Sequence, residues 1–228
     1  MDHYVHSKWV DLQKDLYPGE QIRELKRLSD TRWACRVDAC RVIRDRFAAL
    51  VRLLDEIGNE THADRAVDAK GLLAQLNAQF VMKLVVLTDI LVQTSKLSNM
   101  LQSTDVDLAK AAELTEVLIS QLQDQRSNQT SFDPLWNEVQ TTVESHGFDI
   151  EDIDPTQRKR KRRMPQRLEE AILLEHRPLD GVQGDAQTHA TIKDEVRAHF
   201  VYRILDRMIS EMKRRFNSDS CAIMKSMQ

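Results

Sequence analysis

The stretch LAQLNAQFVMKLVVLTDIL, residues 73–91, decides the fold class. Its Leu73, Leu76, Phe80, Leu84, Leu87 and Leu91 return every three or four residues, the period of one helix face, and Val81, Val85 and Val86 widen that face. A helix so apolar is expected at the centre of a bundle, where several neighbours can cover it. Upstream, Val37, Cys40, Ile43, Phe47, Leu50 and Leu54 make a second stripe, opposed by Arg36, Asp38, Arg41, Arg44 and Asp45. The spacing predicts one amphipathic helix over 34–57, ended near Gly58 and followed by a polar turn at Asn59 to Asp64. Downstream, a break at Ser103 to Asp105 precedes a helix with Leu108, Ala112, Leu118 and Leu122 facing inward. Asp133 and Pro134 read as the cap and first turn of a shorter helix through Leu135, Val139 and Val143, which stops at Gly147. Short connections between such helices make neighbours antiparallel, so the expectation is all-α: a bundle of long antiparallel helices.

From Phe148 to Thr188 the periodicity fails, and Pro155, Pro165, Pro178, Gly181 and Gly184 punctuate the chain. This segment, 148–188, reads as a disordered basic linker, with a short helix near Leu168 to Glu175. A long last helix within 189–217 carries Val196, Phe200, Ile204, Met208, Ile209 and Met212 on one face, and the tail 218–228 is weakly patterned. The organisation is thus a helical lead-in over 1–30, a bundle over 31–147, the linker, the last helix and the tail.

Composition agrees, with only 6 Gly and 5 Pro in 228 residues and 41% hydrophobic residues to build a core. The 3 Cys, at 35, 40 and 221, form no Cys-x-x-Cys pair and fit a reducing compartment. No apolar run reaches the roughly 18 residues that span a bilayer, so an intracellular protein without a membrane segment is expected.

The motifs of chemistry are missing from the pattern. Acidic residues fall on polar helix positions, the 7 His show no metal-ligand spacing, and no Gly-rich phosphate loop or Gly-x-Ser-x-Gly elbow occurs. Neither a catalytic set, nor a metal, nor a cofactor is expected. One charge signal stands out against a net charge of only -3: RKRKRRMPQR, residues 158–167, in which Arg158, Lys159, Arg160, Lys161, Arg162 and Arg163 are all cationic. Such a run suits a nuclear-import receptor or a row of phosphates, whose neutralisation releases counterions; a solvated loop with no partner is the other reading. Trp9 and Trp136 sit among apolar neighbours as core anchors. Trp33 follows Arg32 where a helix begins, with Ser29 or Asp30 as cap; a core role and a DNA-facing role both stand open there.

LKRLSDTRWACRVDACRVI, residues 25–43, resembles the segment that hAT-superfamily DNA transposases carry after their second catalytic Asp, with Thr31-Arg32-Trp33 as the core of the likeness. HSKWVDLQ (6–13) looks like the helix before it. LQSTDVDLAKAAELTEVLISQLQDQR (101–126) looks like a helix pair of the family's inserted domain. RKRKRRMPQRL is similar to a basic stretch there, and HFVYRILDRMISEMKRRFN (199–217) to its long helix ending in Arg-Phe. The likeness is nearest to the domesticated, zinc-finger MYM-type protein 1-like branch. It implies the helical insertion of a ribonuclease H-like domain, whose parent family performs strand transfer with two Asp and one Glu on divalent metal. The upstream segment that would supply either Asp, the Ser-Glu-Arg block and the C-terminal dimerisation segment are not matched, so a catalytically incomplete nuclear fragment and no enzyme is expected. In the family the Arg-Trp pair helps hold a flipped base at the transposon end, which makes Arg32 and Trp33 the implied DNA contacts. Self-association or a protein partner is expected only where that C-terminal segment is supplied. The alternative is a helical protein–protein interaction module whose basic run serves import alone.

Overall fold

A computed structural model describes residues 3–25, 33–102, 108–154 and 191–216. Among these the fold is all-α, with no strand. The helices are α1 (His3–Leu16), α2 (Trp33–Asp45), α3 (Phe47–Gly58), α4 (Ala63–Leu73), α5 (Ala78–Leu101), α6 (Leu108–Ser127), α7 (Asp133–Ser145), α8 (Ile192–Val196) and α9 (Tyr202–Arg215).

The 24-residue α5 is the axis, about 36 Å long at 1.5 Å per residue. It packs against α2, α6 and α7, as its breadth of apolar residues requires. Leu84 of the expected stripe is buried, and the valines expected only to widen that stripe are among the deepest residues of α5. Val81, Met82, Val85 and Val86 are buried with Ile90, while Phe80, Leu87 and Leu91 are half-buried. Each fully buried aliphatic side chain of this kind contributes about 1.5–3 kcal/mol. The expected stripe crosses a helix boundary, however. α4 ends at Leu73, and Asn77 starts α5 by accepting the Phe80 N–H on its side-chain oxygen at 3.0 Å. A short polar residue that satisfies an orphan donor outweighs the continuity of the leucines.

The single helix expected over 34–57 is two, meeting at Arg46, whose φ of -124 and ψ of 27 leave the helical region. The break lets Phe47 enter one core while Ala49, Leu53, Leu54 and Ile57 enter another. The smaller core joins α1, α3 and α4, with Val42 of α2, around Trp9; the larger joins α5, α6, α7 and the C-terminal helices around Met82, Leu122, Val139 and Leu205.

Two further differences concern ends. Asp133 lies inside α7 and pairs with Lys193 at 2.8 Å, while the cap sits one turn earlier at Asn128, opening the 3-10 turn Gln129–Phe132. Phe148 to Ile153, expected in the linker, belongs to the larger core: Ile153 is buried, and Phe148 and Ile150 pack on it. Gly147 does end α7, with φ +77 and with bonds from its own N–H to the Glu144 carbonyl and from the Phe148 N–H to that of Val143. This is the paired pattern of a Schellman stop.

The last helix starts at Thr191, whose hydroxyl accepts the Asp194 N–H, but five residues, Arg197–Val201, take the wider π winding before α9. The extra residue in that turn advances the buried face, so Val201 and Leu205 follow Val196 inward and the expected Phe200 and Ile204 are half-buried. The break expected at Ser103 to Asp105, the helix near Leu168 to Glu175, and the tail lie outside the described residues.

Candidate functional site

Arg32 and the run Arg158 to Arg163 lie outside the described residues; Trp33 is the first residue of α2, and its side chain lies outside them too. The structure does describe how the chain is held on either side of these stretches.

Before the Arg-Trp pair, Gln21 to Leu25 run in non-helical backbone over α1. Such backbone must find partners outside a helix ladder. Three side chains supply them. Trp9 Nε1 donates to the Arg23 carbonyl at 2.7 Å, Gln13 Nε2 donates to the same oxygen at 3.1 Å, and the Arg23 N–H donates to Gln13 Oε1 at 2.9 Å. Arg46, only 4% exposed, completes the clasp. Its guanidinium donates to Gln13 Oε1 (3.2 Å), to the Gln21 carbonyl (3.1 Å) and to the Asp45 carbonyl (3.1 Å), and pairs with Glu20 at 2.8 Å. Its plane lies 4.4 Å over the Tyr17 ring. The helix break at Arg46 thus has a use: it turns a long cation inward, where each of its three nitrogens finds a partner. On the surface Arg23 pairs with Asp45 at 2.5 Å, tying the segment to the end of α2. The stretch before residues 26–32 is therefore tied, through α1 and Arg46, to the far end of α2, the helix that follows them.

The basic run is similarly bracketed. Ile153 is buried before it, and after it Thr191 caps α8 while Lys193 reaches Asp133. Both flanks are held to α7 and its surroundings.

Elsewhere, an open cleft of about 620 Å³ is lined by Tyr4, Asn59, Glu60, Thr61, His62 and Arg65. Glu60 accepts from Lys8 at 2.9 Å and from the Tyr4 hydroxyl at 2.7 Å. The bond from Lys8 holds the Glu60 carboxyl below its usual range, and the same bond holds the Lys8 ammonium above its own. Charges matched this way tie α1 to the α3–α4 turn. Cys40 is half-buried, and burial pushes its thiol up, away from thiolate reactivity. Among the described residues no group of three or more His, Cys, Asp or Glu is placed to hold a metal ion, and no single helix is long and apolar enough to cross a membrane.

The sequence reading missed Gln13, Arg46, Lys8 and Glu60. Arg46 had one available signal, a cation placed directly before the inward Phe47. Its partners Gln13 and Glu20 lie 33 and 26 residues away and carry no pattern. No family model matches the chain, and neither a curated protein nor a solved structure matches it.

Proposed function

We propose that the chain is a transposase-derived, catalytically incomplete helical module that works in the nucleus by contacting DNA. The observation that carries this reading is the unbroken six-residue basic run Arg158 to Arg163, carried on a segment whose two flanks are anchored in one core. Six cations in succession repel one another, and a polyanion relieves that repulsion while releasing its own counterions. Arg32 and Trp33 are the second contact, a cation for a phosphate and an indole for an unpaired base, in the sequence that follows the clasped residues 21–25. The derivation from a hAT-type transposase rests on the ordered resemblance of residues 6–13, 25–43, 101–126, 158–168 and 199–217. No strand cleavage belongs to this chain in that reading.

Purified protein is expected to shift hairpin or branched DNA at low salt, with affinity falling steeply as salt rises. Trp33→Ala is expected to lower affinity for DNA with an unpaired base by roughly tenfold, in line with about 1–3 kcal/mol of stacking, and to leave plain duplex binding nearly unchanged. Equal loss on every DNA form would remove Trp33 from the interface. Metal-dependent cleavage by the chain alone would overturn its incompleteness. A fluorescent fusion with Arg160 to Arg163 replaced by Ala is expected to stay out of the nucleus; unchanged nuclear accumulation would refute the import role.

A further inference from the structure

We propose that the solvent face of α9 is a second phosphate-binding surface, docking along one strand of duplex DNA; it rests on the reading of the chain as a DNA-contacting module. The motif in the sequence is the apolar face of this helix, but the opposite face is equally ordered. Arg203, Arg207 and Arg214, with Ser210 between, stand four, three and four residues apart, so they align on one side of the helix. All four are exposed. At 1.5 Å per residue the row spans about 16 Å, a length over which one DNA strand presents roughly five phosphates along the axis.

The charge balance is what separates this face from an ordinary solvated one. α9 holds Arg203, Arg207, Lys213, Arg214 and Arg215 against Asp206 and Glu211 alone. Asp206 is already met by Arg126 from α6 at 2.8 Å. Glu211 is shared by Arg207 at 3.4 Å, Arg214 at 2.9 Å and Arg215 at 3.5 Å, and its carboxyl is held below the usual range, chiefly by the bond from Arg214. One carboxylate among three guanidiniums orients them and leaves a surplus of positive charge. The Arg207, Arg214 and Arg215 side chains stay 79%, 67% and 58% exposed despite these pairs. Arg203 and Lys213 are exposed and make no ion pair among the described residues. Lys213, Arg214 and Arg215 also crowd the C-terminal end of the helix, where the dipole favours a cation.

The occupant follows from what lies beneath. An interfacial membrane helix needs its apolar face free to enter the headgroup boundary. Here Leu205 is buried, and Met208, Ile209 and Met212 pack on the larger core against α6. Only the charged face is offered, and a row of single charges at helical spacing suits a regular array of phosphates.

The test is a titration of the full chain on a fluorescent duplex of about 20 base pairs across a range of salt concentrations. Arg203→Ala with Arg207→Ala and Arg214→Ala is expected to make the slope of log affinity against log salt shallower by about 2 to 3, at roughly 0.9 per phosphate contact. The matching triple Lys variant is expected to keep the slope, since phosphate neutralisation needs the charge and not the fork. Arg203→Ala alone, which disturbs no ion pair among the described residues, is expected to lower the slope by about 0.9. An unchanged slope in the triple and single Ala variants overturns the proposal. So does a Lys variant as weak as the Ala one, because the row would then act through structure. If replacing Arg160 to Arg163 abolishes duplex binding while the α9 variants keep it in full, this surface falls and the basic run stands. If the unaltered protein binds no DNA even at low salt, both fall, and binding to anionic vesicles in its place would assign the row to a lipid surface.

Discussion

Arg46 sits where two conflicting demands meet. Its backbone leaves the helical region, and its guanidinium is buried, yet each costs less than it would alone because the break aims the side chain at Gln13, Gln21, Asp45 and Glu20. Arg46→Ala would leave Gln13 Oε1 with only the Arg23 N–H and uncover Tyr17. A loss on the order of 2–3 kcal/mol is expected in urea unfolding, smaller than for a buried ion pair because Glu20 is left in water. Arg46→Lys should recover less than half of it, since one ammonium cannot span partners arranged around a planar fork. His146 offers a pH test. Its ring lies tilted against that of Phe47, centroids 4.4 Å apart, and burial holds the imidazole below its ordinary range. The unfolded chain, titrating near about 6.5, then binds more protons than the folded one as pH falls through that value. This contribution to stability is thus complete above about pH 6.5 and is lost on acidification below it, down to the depressed folded pKa. The fall in thermal midpoint from pH 7.5 to 5.5 is expected to be smaller in His146→Asn than in the parent; an equal fall would place the sensitivity elsewhere. None of these contacts was legible beforehand, because periodicity reports which face is apolar and says nothing of which distant polar group meets which.

At the scale of elements the sequence was informative where the signal is local. Gly147 was readable as a stop because the left-handed conformation there suits glycine, and Gly147→Ala is expected to cost about 1–2 kcal/mol in thermal or urea unfolding, with α7 fraying first. The joints at Arg46 and at Ala74 to Asn77 were hidden because the apolar residues keep a helical spacing straight through them. The π turn was hidden for a related reason: Val196, Phe200 and Ile204 fit a regular helix, while packing selects Val196, Val201 and Leu205. That selection makes a sharp prediction. Deleting the exposed His199 would convert the turn to ordinary α winding and leave Val196, Val201 and Leu205 four residues apart, still on one face. The deletion variant is expected to fold with a thermal midpoint no lower than the parent. Removing the exposed Gln121 from α6, which has no such slack, should throw Leu122 out of the core and abolish cooperative unfolding. If both deletions behave alike, the π turn holds no spare residue.

The two cores differ in size. Among the described residues the larger gathers 19 buried side chains and the smaller 8, and Phe47 and Leu76 are where they approach one another. The all-α class was legible from composition and period alone, since those depend on the total of apolar spacing; the division into two cores depends on breaks at Arg46 and Asn77, which that total does not record. The division bears on the candidate site. The stretch before Arg32 is clasped by Trp9, Gln13 and Arg46 on the smaller core, whereas the flanks of the basic run and the whole of α9 belong to the larger. Local stability scales with buried apolar contact, so the smaller unit should open at lower free energy. Trp9→Ala removes a side chain with no exposed surface and should cost roughly 3–5 kcal/mol, most of it locally. Native-state hydrogen exchange is then expected to show faster exchange in α1, α3 and α4 while α5 and α7 keep their protection, and duplex binding through the larger unit should persist. Loss of protection in all five helices together would mean that the molecule opens as one body, and Trp9→Ala would then weaken duplex binding as well.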